Sequence, residues 1–236
     1  MAITTVLFDL DGTLLPMDQD LFTKKYFGAL AAKLAPHGYD PEQLIKGVWA
    51  GTAAMVKNTG GKTNEEAFWE DFTGRFGRQV RDDIPIFDEF YRMDFSCAKE
   101  ACGFAPMAAQ IVARLKERGF RVILATNPIF PAIATQNRIR WAGLEPEDFE
   151  LYTTYENSCH CKPNLDYYRD ILAQLNVTPE ECLMVGNDVR EDMVAEMLGM
   201  QVFLLTDCLL NKDGTDISDY PQGGFPELAE YLENLK

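Results

Sequence analysis

Apolar and polar positions along the chain follow two alternating patterns. Val6, Leu7, Phe8 and Leu10, then "FRVILAT" (120–126), "FELYTTY" (149–155), "ECLMVG" (181–186) and "MQVFLLT" (200–206), form short apolar, β-rich runs. Such continuous runs predict strands covered on both faces. Between them, residues 105–118, 129–142, 165–175, 190–198 and 226–235 have helical patterning. Thr178-Pro179-Glu180-Glu181 combines N-cap, N1 and N3 signals and predicts a short helical turn. Strands alternating with helices predict βαβ units with right-handed crossovers, hence an α/β fold on a doubly wound parallel sheet.

One connection is far too long for a crossover. About 110 residues separate the first strand from the second, where a dozen or a little more suffice. The excess, residues 16–99, is itself helix-patterned. Asp40-Pro41-Glu42 is an N-cap with proline at N1, followed by Leu44, Ile45, Val48, Trp49 and Val56 on one face. Thr63-Asn64-Glu65-Glu66 is a capping box. This predicts an all-helical insertion at 16–99, linkers near 13–18 and 97–105, and an α/β core made of 1–15 and 100–236. Ligands of open α/β sheets bind outside the carboxyl ends of the strands, so the insertion would hang over the site as a lid. Phe68, Trp69, Phe72, Phe76, Phe87 and Phe90 are expected to fill its core.

The chain has 236 residues, 47% hydrophobic and 25% charged, and a formal charge of −15. That balance argues against a nucleic-acid or anionic-membrane partner. An anionic substrate would need a local cation. No basic-then-apolar leader opens the chain, and no stretch approaches the roughly 18 apolar residues of a membrane span. These features are read as a cytoplasmic protein, its six scattered cysteines as free thiols.

Asp9 and Asp11 interrupt the first apolar run two residues apart, and Gly12 ends it. Buried unpaired carboxylates are costly, so compensating charge must come from elsewhere in the chain. The other strand ends supply candidates: Thr126-Asn127-Pro128, Lys162 in "CHCKPN", and Asp188 and Asp192 in "GNDVRED". Pro128 at N1 predicts a helix start whose free N–H groups favour an anion. Lys162 and Arg190 are the nearby bases, too few for the carboxylates. A hard divalent cation such as Mg²⁺ would resolve the imbalance.

"DLDGTL" (9–14), "LATN" (124–127), "KPN" (162–164) and "GNDVRED" (186–192) together resemble the four ordered motifs of the haloacid dehalogenase-like hydrolase superfamily. The long insertion is similar to that family's helical C1-type cap. The resemblance implies a Rossmann-like core and a Mg²⁺-dependent phosphatase acting on a small phosphorylated metabolite through an aspartyl-phosphate. Asp9 would be the nucleophile. Asp11 would be the general acid and then the base, with Gly12 allowing the sharp turn. Thr126 and the Asn127 N–H would hold phosphoryl oxygens, and Lys162 would neutralise charge. Asp188 would bind Mg²⁺ with the Asp9 side chain and the Asp11 carbonyl, while Asp192 would hold a metal-bound water or Lys162. Asn187 departs from the commonest form of the fourth motif, its side chain reaching the metal shell or solvent. A halide leaves without a proton and an alcohol needs one, so Asp11 favours a phosphatase over a dehalogenase. A sugar-phosphate mutase remains the alternative, and a ligand-binding module without activity is the reading from another class.

"GGKT" (60–63) fails as a phosphate-binding P-loop because Val56 stands where that motif needs glycine. Lys57 and Lys62 in the same loop are candidate contacts to an anionic substrate, with solvated lysines as the alternative. Cys159-His160-Cys161 lacks the second ligand pair of a zinc site.

Overall fold

In a computed structural model, which describes residues 2–235, six strands form one all-parallel sheet. They are β1 (Thr5–Phe8), β2 (Arg121–Leu124), β3 (Leu151–Tyr152), β4 (Cys182–Gly186), β5 (Gln201–Leu205) and β6 (Gln222–Gly223), in the order β3-β2-β1-β4-β5-β6. The chain winds outward through β2 and β3, then returns to place β4 on the other side of β1. The β1/β4 seam is therefore where a doubly wound sheet opens its crevice.

Successive side chains of each strand enter opposite layers. Val6, Phe8, Leu124 and Val185 pack beneath α5 (Pro106–Glu117) and α8 (Phe225–Glu233). Leu7, Ile123 and Met184 pack beneath α7 (Leu165–Leu175). Every residue of β1 is buried, as the continuous apolar run predicts.

A separate apolar cluster gathers α1 (Gln19–Leu34), α2 (Pro41–Val56), α3 (Asn64–Phe76) and α4 (Ile84–Glu89), with the turns running to Ala101. Its helix starts follow the sequence signals. Asp40 accepts from the Gln43 N–H at 2.9 Å, and Thr63 and Glu66 form a reciprocal capping box. Phe72 and Phe90 lie at the centre of this cluster. The chain enters and leaves it through adjacent segments: the Gly103 N–H donates to the Pro16 carbonyl at 2.7 Å and the Asp18 N–H to the Ala101 carbonyl at 3.0 Å.

Several elements differ from expectation. Of residues 149–155 only Leu151 and Tyr152 join the sheet, because the Asn157 side chain takes the Thr154 N–H at 2.8 Å. β6 lies in a Pro/Gly-rich stretch with no apolar run and was not anticipated. Residues 190–198 yield only a 3-10 helix, Met193–Leu198. The Asp188 carboxylate accepts the Arg190 and Glu191 N–H groups at 2.8 and 3.0 Å, holding the preceding turn out of helical geometry. On α2, Leu44 and Val48 are buried but Trp49 and Val56 are exposed.

The helix expected from residue 129 begins instead at α6 (Ala132–Trp141), with Pro131 as its N-cap. Pro128 and Pro131 disfavour helical backbone at Asn127 and Phe130, the residues before them. The Glu156 carboxylate takes the Ala132 N–H at 2.8 and 3.0 Å, so this helix start is already occupied by an anion. Among the described residues, no helix is long and apolar enough to cross a membrane.

Candidate active site

Strand register assembles the site. Phe8 pairs with Leu124 on one side and with Val185 on the other, so residues 9, 125–126 and 186–188 reach the same edge together. The Asp9 N–H extends the ladder to the Val185 carbonyl at 2.9 Å, and the Ala125 N–H donates to the Phe8 carbonyl at 2.7 Å.

Asp9 is held by Lys162 and lies within reach of a hydroxyl. Lys162 Nζ donates to its Oδ1 at 2.9 Å, and the Thr13 hydroxyl stands 3.2 Å from its Oδ2. Lys162 also donates to Asp192 Oδ1 at 2.6 Å, while Asp192 Oδ2 accepts from the Asp188 N–H at 3.0 Å. Lys162 and Asp192 are each 1% exposed. Burial alone would push the Lys162 ammonium down, but Asp192 and Asp9 prevail and hold it well above its ordinary range. It stays charged. Gly186 makes this approach possible, since a Cβ there would collide with the Asp192 carboxylate.

Gly12 has φ +88°, and a Cβ there would strike the Asn187 amide. Asn187 is buried: its Nδ2 donates to the Cys208 carbonyl at 2.7 Å, and its Oδ1, 3.0 Å from the Thr13 hydroxyl, competes with Asp9 Oδ2 for that hydroxyl's one proton. Of the two expectations for its side chain, solvent is excluded by its burial, while Asn187 does border the cavity between Asp9 and Asp188. Asn187 ties the β1 turn to the loop after β5.

Asp11 meets a partner that the sequence reading missed. Arg138 of α6 forms an ion pair with Asp11 Oδ2 and is 1% exposed. Its guanidinium also donates to Ala134 O and Thr135 Oγ1 at 3.3 and 3.2 Å and lies 4.5 Å from the Phe130 ring centroid. Asp11 Oδ1 is buried without a partner. Burial raises the Asp11 carboxyl above the ordinary range, against the pull of Arg138. Arg190, the other expected base, is exposed.

Thr126 and Asn127 border the same cavity, of about 270 Å³, as do Asp9, Asp11, Asp188 and Asp192. The Thr126 carbonyl is anchored by the Tyr167 hydroxyl at 2.9 Å and the Thr153 hydroxyl at 2.6 Å. Asn127 Nδ2 donates to Glu191 at 3.0 Å, leaving Asn127 Oδ1 buried and unpartnered. Burial pushes the Glu191 carboxyl up to about 7.

The cap-loop lysines are elsewhere. Lys62 pairs with Glu70, and neither Lys57 nor Lys62 lines the cavity. The same loop docks on the core through Asn64, whose Nδ2 lies 3.2 Å from the Pro128 carbonyl and 3.3 Å from the His160 carbonyl. His160 itself pairs with Asp170 at 2.7 Å. The cap aromatics divide: Phe72 and Phe90 are core as expected, whereas Phe68, Trp69 and Phe87 also line the cavity.

Charge at the site favours a divalent cation. At this edge five carboxyl groups, Asp9, Asp11, Asp188, Glu191 and Asp192, border the cavity, and the cations paired with them are Lys162 and Arg138. Asn127 Oδ1 is an orphaned oxygen acceptor at the same edge. Among the described residues, no three acidic, imidazole or thiol side chains converge into a complete cage. Mg²⁺ does not need one, because it takes one or two carboxylates and completes its shell with other oxygens. The donor set fits it.

The chain is similar to known proteins in sequence and in fold. The phosphoglycolate phosphatase of Colwellia psychrerythraea is 27% identical, covering 98% of this chain and 96% of its own. The 2-haloacid dehalogenase of Pseudomonas syringae superposes with a TM-score of 0.64 at 18% identity, covering 99% and 100%. The Bacillus subtilis hydrolase YfnB, solved bound to magnesium, superposes with a TM-score of 0.56 at 17% identity, covering 98% and 99%. The sequence model of haloacid dehalogenase-like hydrolases matches residues 3–195, and the chain belongs to that family.

Proposed function

We propose that the protein is a Mg²⁺-dependent phosphatase that hydrolyses a small phosphate monoester through an aspartyl-phosphate on Asp9. The observation that carries this reading is the geometry at one strand edge: Lys162 donates to Asp9 Oδ1 at 2.9 Å, and Asp11, paired with Arg138 through Oδ2, keeps a buried Oδ1 without a partner. An Asp9 oxygen attacks phosphorus as the bond to the leaving oxygen breaks, and Asp11 gives that oxygen its proton. Asp11, now a carboxylate, takes a proton from water as the water oxygen attacks phosphorus, freeing phosphate and restoring Asp9. Lys162 offsets charge on Asp9 and the transferring group, and the Thr126 hydroxyl and Asn127 N–H steady its oxygens. Asp9, Asp188 and the Asp11 carbonyl would hold Mg²⁺, which supplies positive charge to the phosphoryl oxygens. The fold is shared with a dehalogenase, but a halide needs no acid, which leaves Asp11 without a task in that chemistry.

The test is phosphate release from a panel of phosphate monoesters. Chelator should lower it by at least about 100-fold, and added Mg²⁺ should restore it. Full turnover in excess chelator would remove the metal from the reading.

Arg138 is proposed as the residue that positions Asp11. By fixing Oδ2 it leaves Oδ1 for the leaving oxygen. Arg138→Met keeps an unbranched side chain in the buried site but removes the guanidinium that lies over Phe130 and pairs with Asp11, and should lower kcat about 10- to 100-fold with little change in KM. Arg138→Lys should recover part of the loss. A raised KM at unchanged kcat would instead mark Arg138 as a substrate-binding residue.

A further inference from the structure

We infer that the alcohol released at this site has an apolar, ring-sized body and carries no anionic group. This rests on the phosphatase reading and adds the substrate class to it. Facing the insertion, the cavity is walled by its Phe27, Trp49, Phe68, Trp69 and Phe87, joined by Tyr155 of the core. The rings support one another: Trp69 meets Phe68 and Phe87 edge to face at 5.2 and 5.3 Å, and Phe27 lies 5.3 Å from Trp49. Of the six, Trp49 is the one that stands exposed, at 53%, although it sits on the apolar face of α2. An aromatic side chain left in water beside a cavity gains by covering a ligand.

The polar groups on this side are neutral or negative. The Tyr26 and Tyr91 hydroxyls bond each other at 2.9 Å. Asp88 contributes a carboxylate. Among the described residues, no lysine, arginine or histidine lines the cavity. The insertion does contain cations, but they lie away from the cavity: Lys25, Lys33, Lys62 and Arg75 are paired with Glu100, Glu89, Glu70 and Asp71, and Lys24, Lys57, Arg78, Arg81, Arg92 and Lys99 are exposed outside its lining. A leaving group bearing a carboxylate or a second phosphate would therefore meet apolar rings and Asp88 with no counter-charge, in a chain of charge −15. An uncharged ring meets matching walls. An apolar cavity of about 150 Å³ holds a benzene, so the space takes a phosphoryl group with one ring beside it.

The experiment compares kcat/KM for phosphate release from 2-phenylethyl phosphate, phosphoglycolate and phosphocholine, with Mg²⁺ present. Burial of the phenyl body should give the first about a 10- to 100-fold advantage over each of the others. Equal or better turnover of phosphoglycolate would overturn the inference, and a preference for phosphocholine would overturn the uncharged apolar body. Asp88→Lys should raise kcat/KM for phosphoglycolate about 10-fold and alter 2-phenylethyl phosphate less. No gain on phosphoglycolate would overturn the charge argument. Binding to Asp9→Asn, read by fluorescence of Trp49 and Trp69, separates this inference from the reading beneath it. Tighter binding of 2-phenylethyl phosphate with no release by the parent protein would sustain the inference and sink the phosphatase. Equal binding of all three would sink the inference alone.

Discussion

Asp9→Asn is expected to lower phosphate release by at least about 10⁴-fold while leaving the fold intact. The substitution is isosteric, and an amide oxygen can still accept from Lys162. The Thr13 hydroxyl can turn to accept from the new NH₂. Lys162 keeps its ion pair with Asp192, so no buried charge is stranded and Tm should move by only a few degrees. A weakly nucleophilic amide then stands where the carboxylate oxygen must attack phosphorus. Mass spectrometry of quenched reactions should find a phosphorylated chain in the parent and none in the variant. Release at the parent rate would mean that Asp9 does not carry the phosphoryl group.

Lys162→Met is expected to cost about 3–5 kcal/mol of stability as well as activity. The side chain is buried between Asp9 at 2.9 Å and Asp192 at 2.6 Å. Removing it leaves two carboxylates facing each other with no cation between them. For a chain of this length that amounts to a Tm fall of roughly 10 °C. Lys62→Met, which breaks the exposed pair with Glu70, should cost no more than about 1 kcal/mol. Adding Asp192→Asn to Lys162→Met should recover part of the lost stability, because the second change removes one stranded charge. It should not recover turnover, since Asp9 still lacks its neutralising partner. Equal destabilisation by the two lysine variants would show that the buried triad contributes nothing special.

The contrast between what the sequence revealed and what it hid has a physical basis. The central strands are covered on both faces, so their apolar runs are uninterrupted, and Asp9, Asp11, Lys162 and Asp188 stood out as charges at the ends of such runs. Arg138 did not, because one arginine in a helix reads as a surface charge. Its burial depends on the loop after β1, far away in the chain. A signal was present nonetheless: Arg138 lies one turn from the buried Ala134 and one turn from the buried Ala142. Glu156 was equally hidden, since nothing local ties it to the start of α6. Trp49 was legible as apolar but not as cavity wall, because helical periodicity places a residue on a face without saying what that face meets.

The paired connections at Pro16–Asp18 and Ala101–Gly103 have one more implication. To the sheet, everything between them is a single loop whose two ends are hydrogen-bonded together at 2.7 and 3.0 Å. Closing so long a loop costs little more than closing a short one, because the entropy grows only with the logarithm of its length. The strand register sees only where the loop leaves and returns. On the proposed function, an exchanged insertion that keeps the Asn64 contacts to Pro128 and His160 is expected to alter which alcohol is admitted while the four strand ends keep the same reaction.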